Sequence, residues 1–135
     1  MKLTVTTTIN KNIKAIWEAF TLPQHITNWY FASTDWNAPF AENDLQVGGR
    51  FKTRMEAKDG SFGFDFSGTY SNVVLNKQLD YTLDDNRSVI VSFKEENNQT
   101  VVTQSFETET ENTVELQQHG WQMILDNFKL YTEML

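Results

Sequence analysis

Two runs of alternating polarity flank Asp59-Gly60 between residues 45 and 75, and this arrangement limits the possible folds more than any other stretch of the chain. Asp-Gly supplies the positive φ angles that a tight hairpin requires, so a two-residue turn is expected there. With Lys58 facing Ser61, the pairs become Ala57 with Phe62, Met55 with Phe64, Thr53 with Phe66 and Phe51 with Gly68. Those side chains share one face. The other face carries Arg50, Lys52, Arg54, Glu56 and Lys58 against Thr69, Ser67, Asp65, Gly63 and Ser61, with Arg54 opposite Asp65. A slip of one residue would move the phenylalanine ladder into water and the cations into the interior, so the pattern specifies its own register. One broad aromatic sheet face results. What covers it decides between a solid core and a binding cavity.

Elsewhere the periods are equally clear. Leu3, Val5, Thr7 and Ile9 alternate with polar residues, the mark of a half-buried strand. Ile13, Ile16, Trp17 and Phe20 follow at helical spacing behind a capping Asn12. Thr21-Leu22-Pro23 opens a second short helix, with Ile26 and Trp29 continuing the apolar stripe. From Tyr30 to Asp44 periodicity fails, which predicts an ordered loop with Trp36 as the candidate lid residue. Leu79, Tyr81 and Leu83, then Val89, Val91 and Phe93, alternate on either side of an Asp85-Asn86 turn. A polar stretch from Glu95 to Gln99 leads to a last strand in which Val102, Gln104 and Phe106 share a face. Short turns between successive strands imply an antiparallel meander.

The chain then ends in a long helix. Asn112 and Glu115 stand in capping-box spacing. Trp121, Ile124, Phe128, Tyr131 and Leu135 recur every three or four residues, while Glu115, Gln118, Gln122, Asp126, Lys129 and Glu133 are assigned to water. Gly120 inside this helix costs about 1 kcal/mol relative to alanine, which suggests a close backbone approach. The full order predicts an α+β helix-grip arrangement: a curved antiparallel sheet of about seven strands wrapped around the C-terminal helix, with two short helices after the first strand.

At 135 residues the chain fits one domain, residues 1–135, large enough to bury about two thirds of its unfolded surface. The absence of cysteine removes thiol nucleophiles, thiolate metal sites and disulfides, and fits a reduced, cytoplasmic setting. Eighteen acids against eleven bases disfavour a phosphate backbone, so nucleic acid is not an expected partner. No run of eighteen apolar residues predicts membrane insertion, and the first residues lack the apolar block of a secretory signal.

Several segments, taken in order, resemble one known family. They are Asp44-Leu45, Val47-Gly48-Gly49-Arg50-Phe51, the stretch from Arg54 to Ser61, Gly63-Phe64-Asp65-Phe66 with Gly68 and Tyr70, and Gly120-Trp121 with Leu125 and Phe128. Together they look like the START-like, SRPBCC superfamily, and within it the AHSA-like family named for the activator of heat-shock-protein-90 ATPase. The resemblance covers nearly the whole chain. It implies a hydrophobic tunnel between sheet and terminal helix that takes lipids, sterols, polyketides or other apolar molecules, and it raises a chaperone as a partner. The co-chaperone resembles this chain only through its carboxy-terminal domain.

The residues point the same way on their own. Met55, Phe64, Phe66, Tyr81, Phe93 and Phe106 should meet Trp121, Ile124, Leu125 and Phe128, with Thr7, Thr53 and Gln104 on the same faces. Polar groups on an apolar face pair with one another, with water or with a ligand. The candidate ligand-binding set is Trp36, Thr53, Met55, Phe64, Phe66, Tyr81, Gln104, Phe106, Trp121 and Leu125; a solid core with satisfied hydrogen bonds is the alternative. Catalytic signals are thin. His25 and His119 are the only histidines, and His119 with Glu115 offers two metal ligands where a site needs more. Glu107, Glu109 and Glu111 read as a charged rim. Neither Gly-x-Ser-x-Gly nor a phosphate loop occurs, and no catalytic residue, metal or cofactor is expected.

Three functions stay open, in this order: a module enclosing a small apolar molecule, a co-chaperone-like interaction module, and a cofactor-free enzyme of the polyketide-cyclase kind, which needs an inward acid or base. Monomer and homodimer are both compatible with an exposed edge strand.

Overall fold

Pairing across the Asp59-Gly60 hairpin follows the anticipated register along its length. In the computed structural model, which describes residues 1–135, Phe51 faces Gly68, Thr53 faces Phe66, Met55 faces Phe64 and Arg54 faces Asp65. The turn itself differs from expectation. Ala57 and Phe62 close a four-residue loop in which the Gly60 amide donates to the Ala57 carbonyl, and of the two central residues only Gly60 takes a positive φ, +78°. Asp59 Oδ1 accepts from the Ser61 amide at 2.8 Å. Adding one residue on each side of a two-residue turn preserves the pairing sum, so the register is indifferent to which turn forms.

Ten elements follow the chain: β1 (Lys2–Ile9), α1 (Ile13–Thr21), α2 (Pro23–Ile26), β2 (Trp36–Asn43), β3 (Arg50–Ala57), β4 (Gly63–Val74), β5 (Gln78–Leu83), β6 (Ser88–Glu96), β7 (Gln99–Glu107) and α3 (Val114–Glu133). The strands form one antiparallel sheet in the order β1-β7-β6-β5-β4-β3-β2. It curls as a half-barrel around α3, the helix-grip form of the α+β class. No helix is long and apolar enough to cross a membrane.

The segment expected to be a loop contains β2. Its pairing with β3 shifts between Asn37 and Phe40, around Pro39, which is the kind of place where an edge strand accepts a proline. That bulge erases the period-two pattern from the sequence. Trp36 therefore stands opposite Ala57 on an edge strand and is not part of a lid. The polar stretch from Glu95 to Gln99 likewise belongs mostly to strands, with β6 and β7 joined through Asn97 and Asn98, both at positive φ.

Asn12 caps α1 as anticipated, its Oδ1 accepting from the Ala15 amide at 2.9 Å. The cap of α3 is one residue later than expected: Thr113 Oγ1 accepts from the Leu116 amide at 3.1 Å, while Asn112 is held by Glu109. Both residue types cap well, so spacing alone does not separate them. Gln118 and Gln122, assigned to water, instead donate to the Thr4 and Thr6 carbonyls at 3.0 and 3.2 Å. They occupy the outer hydrogen-bonding row of β1, which protects that sheet edge. Leu135 leaves the stripe and is 56% exposed.

Gly120 has no close neighbour. A Cβ built there meets nothing within 4 Å, contrary to the approach expected from the sequence. Gly120→Ala should therefore stabilise the protein by about 1 kcal/mol, the plain difference in helix propensity. Thermal denaturation should show a rise in Tm of roughly 3 °C; a fall would reveal a packing constraint on this helix face that the geometry lacks.

Candidate functional site

The concave face is solid at one end and hollow at the other, and the difference follows from which helix covers it. Under α1 and α2 the rings interlock. Phe93 packs edge-on against Trp17 and Phe20 at 5.2 and 5.3 Å, Phe20 meets Phe128 at 5.3 Å, and Trp29 meets Phe128 at 4.5 Å. Trp29 Nε1 donates to the buried Ala19 carbonyl at 2.9 Å, which satisfies its one polar atom. Phe93, expected against α3, thus belongs to α1.

Towards the N-terminal half of α3 the cover is thinner. Trp121 stacks on Phe106 with centroids 4.0 Å apart and planes within 5°, and turns an edge to Phe66 at 6.0 Å. Phe66 in turn touches Tyr30 at 5.4 Å. Between these rings lies a cavity of about 170 Å³, bounded by Tyr30, Met55, Phe64, Phe66, Arg87, Gln104, Trp121 and Ile124. On the other side of Tyr30 and Phe66 is a smaller space of about 30 Å³ that also touches Thr53, Tyr70 and Tyr81. At roughly 10–15 Å³ for each water centre, this second space suits only two or three solvent molecules.

Polar groups in the larger cavity are few. Gln104 is 4% exposed, and its amide makes no hydrogen bond to the protein, so its donors and acceptor are directed at the cavity. Burial pushes the Tyr30, Tyr70 and Tyr81 hydroxyls up from the ordinary tyrosine value, and the neighbouring Tyr70 adds to it for Tyr30, as Tyr30 and Tyr70 do for Tyr81. They are neutral at physiological pH. Tyr70 donates to Asn43 Oδ1 at 2.7 Å, and Asn43 passes the network to the Thr21 carbonyl. The one charged side chain on the larger cavity is Arg87, whose Nε donates to Asp85 Oδ2 at 2.8 Å. Nearby Asp84 is held at about 2, chiefly by its hydrogen bonds from Arg50 and then Ser67.

Of the residues proposed from the sequence, Met55, Phe64, Phe66, Gln104 and Trp121 line the larger cavity, and Thr53 and Tyr81 border the smaller one. Three do neither. Phe106 is fully buried behind Trp121, Leu125 lies in the core, and Trp36 rests on Phe62 and Phe64 at 6.0 and 6.1 Å. The outer end of the phenylalanine ladder is less covered than expected, with Phe62 61% and Phe64 39% exposed, because α3 runs beside β1 while the β3–β4 hairpin lies near the opposite edge.

Tyr30, Arg87 and Ile124 were not assigned to the site from the sequence. For Arg87 a signal existed: it has the same parity as the inward Val89, Val91 and Phe93 and immediately precedes β6, so the alternation carried back by one residue places it on the inner face. Tyr30 follows α2 without any period to mark it. His25 Nδ1 meets the Tyr131 hydroxyl at 2.6 Å, a contact between α2 and α3, and His119 is exposed. Glu107 accepts from the Ser88 amide at 2.6 Å, which holds its carboxyl below the usual range, so it anchors the start of β6. Arg54 lies closer to Glu56, at 2.9 Å, than to Asp65, at 3.4 Å.

A family model described as Activator of Hsp90 ATPase homolog 1-like protein matches residues 10–133. The solution structure of the AHSA1-like protein from Aeromonas hydrophila superposes with a TM-score of 0.93 at 46% identity, over 99% of this chain and 93% of that one. Chr148 from Cytophaga hutchinsonii gives 0.85 at 45% identity, over 98% and 92%. Protein CV1439 from Chromobacterium violaceum shares the fold alone, with a TM-score of 0.86 at 18% identity over 98% of each chain. No curated protein matches significantly.

Proposed function

The chain belongs to the Activator of Hsp90 ATPase homolog 1-like family, and from that premise we propose that it binds a small apolar molecule in the cavity between its sheet and α3. The observation that carries this reading is the 170 Å³ space whose wall is mostly hydrophobic and whose one amide, Gln104, makes no hydrogen bond to the protein. An amide on an apolar wall with no protein partner is met by water or by a guest, because a donor left wholly unmet costs about 1–3 kcal/mol. Apolar wall with a few convergent polar groups is the usual makeup of a small-molecule site.

Volume limits the occupant. A cavity of about 150 Å³ accepts a benzene-sized guest, whereas drug-sized ligands occupy roughly 300–1,000 Å³. One ring or a short chain fits. Burying about 150 Å² of ring surface at about 25 cal/mol per Å² contributes about 4 kcal/mol, so a plain ring should bind with a Kd of roughly 1 mM.

Titrating isotope-labelled protein with toluene, followed by NMR, tests this. The expected shifts centre on the Gln104 side-chain amide, the Trp121 indole N–H and the Met55 methyl, and Ile124→Trp, which fills the space, should weaken binding at least tenfold. Shifts confined to Phe62 and its neighbours on the exposed hairpin would overturn the proposal.

A second reading draws on the aromatic strip formed by the exposed Phe62 and Phe64 of the hairpin and the half-buried Trp36 beside them, together with the family's name. Under it the domain is an interaction module for a chaperone. Phe62→Ser should then abolish chaperone capture while Ile124→Trp leaves it intact. Nothing in the cavity wall favours an enzyme, since neither a carboxylate nor a histidine lines it and Glu42, beside the smaller space, is exposed near Lys52 at 4.0 Å.

A further inference from the structure

We propose that the cavity selects an anionic guest, a single aromatic ring bearing a carboxylate, with Arg87 at the rim taking the carboxylate and the ring lying inward. This rests on the reading of the cavity as a binding site. Arg87 lines both the cavity and the shallow groove outside it, a groove that Asp65, Ser67, Leu83, Asp84 and Asp85 also line. It therefore stands at the mouth.

The guanidinium is held in a defined orientation. Asp85 accepts from both the Arg87 backbone amide, at 3.2 Å, and Nε, at 2.8 Å, which leaves the two terminal amino groups without a protein partner. Its side chain is 22% exposed, so a hydrogen bond to a carboxylate there is shielded yet needs no complete loss of water. A planar fork of two N–H groups matches a carboxylate bidentately.

Other charges around the mouth are already engaged. Asp84 is taken by Arg50 and Ser67, Asp65 by Arg54, and Glu107 by Ser88. Asp85 is the one carboxylate on Arg87, and it uses only the Nε edge. The chain carries a net charge of −7, which repels anions in general, so a preference for one must come from this local cation. Orientation follows as well. The inner wall offers only neutral groups, Gln104 and Tyr30, and a carboxylate buried against them without a cation would be costly.

The test compares phenylacetate with its neutral isostere phenylacetamide by NMR titration on wild type, Arg87→Met and Arg87→Lys, with toluene as the reference guest. Wild type should bind phenylacetate at least tenfold more tightly than the amide. Arg87→Met should bring phenylacetate down to the level of the amide while changing amide and toluene affinity less than twofold, and Arg87→Lys should restore part of the preference. Equal affinity for acid and amide, or an Arg87→Met effect on toluene as large as on phenylacetate, overturns the role of Arg87 and leaves the apolar cavity standing. Failure of all three guests to bind overturns the cavity reading and this inference with it. Arg87→Gln provides the same contrast if the methionine variant is unstable.

Discussion

Replacing Phe128 with alanine should lower the free energy of unfolding by roughly 3–5 kcal/mol, the range for deleting a fully enclosed phenylalanine. Its ring is completely buried and meets Phe20 and Trp29. Those contacts tie α3 to α1 and to the turn after α2, so the lost ring leaves a void between segments that cannot all close in on it. A domain of this size is stable by about 5–15 kcal/mol, and the loss should reduce Tm by roughly 10–15 °C. Chemical denaturation measures it directly. Phe62→Ala, on the exposed hairpin, should change stability by less than about 0.5 kcal/mol. If the two variants were equally costly, the solid half of the interior would not be where the rings place it.

Alkaline pH should unfold the protein steeply, because three tyrosines are pushed up by burial. A folded value raised above the unfolded one means that the folded state keeps protons which the unfolded chain gives up. Stability is then fully present below about pH 10 and falls as pH rises above it. Each tyrosine contributes a slope of about 1.4 kcal/mol per pH unit, so Tyr30, Tyr70 and Tyr81 together give about 4 kcal/mol per unit. Tyrosinate absorbance from these three should appear together with the loss of helical circular dichroism. Tyr81→Phe should shallow the slope by about a third. Ionisation of the three well before unfolding would contradict their enclosure beside the small space.

How much of this was readable beforehand depends on whether the deciding interaction is local. The β3–β4 register was legible because a period of two makes any slip expensive, and it survived a turn of different length. β2 was not, because the bulge around Pro39 removes the alternation that marks a strand. Inward parity correctly grouped Phe93, Gln104 and Phe106, yet Phe93 meets α1 and Phe106 meets Trp121. Parity says which way a side chain points. It does not say which helix lies over it, and that long-range placement decides whether the interior closes. Gln118 and Gln122 show the same limit, since an amphipathic pattern marks them polar but cannot tell water from the carbonyls of β1. Arg87 was legible in principle: a cation in phase with Val89 and Val91 is an anomaly that points to a site.

The most direct measurement is anomalous diffraction from crystals exposed to iodobenzene. The expected result is an iodine peak inside the space bounded by Met55, Phe66, Gln104 and Trp121, with Trp121 still stacked on Phe106. A Trp121 ring folded down onto Phe66, filling the space and leaving no peak within it, would contradict the existence of a ligand cavity.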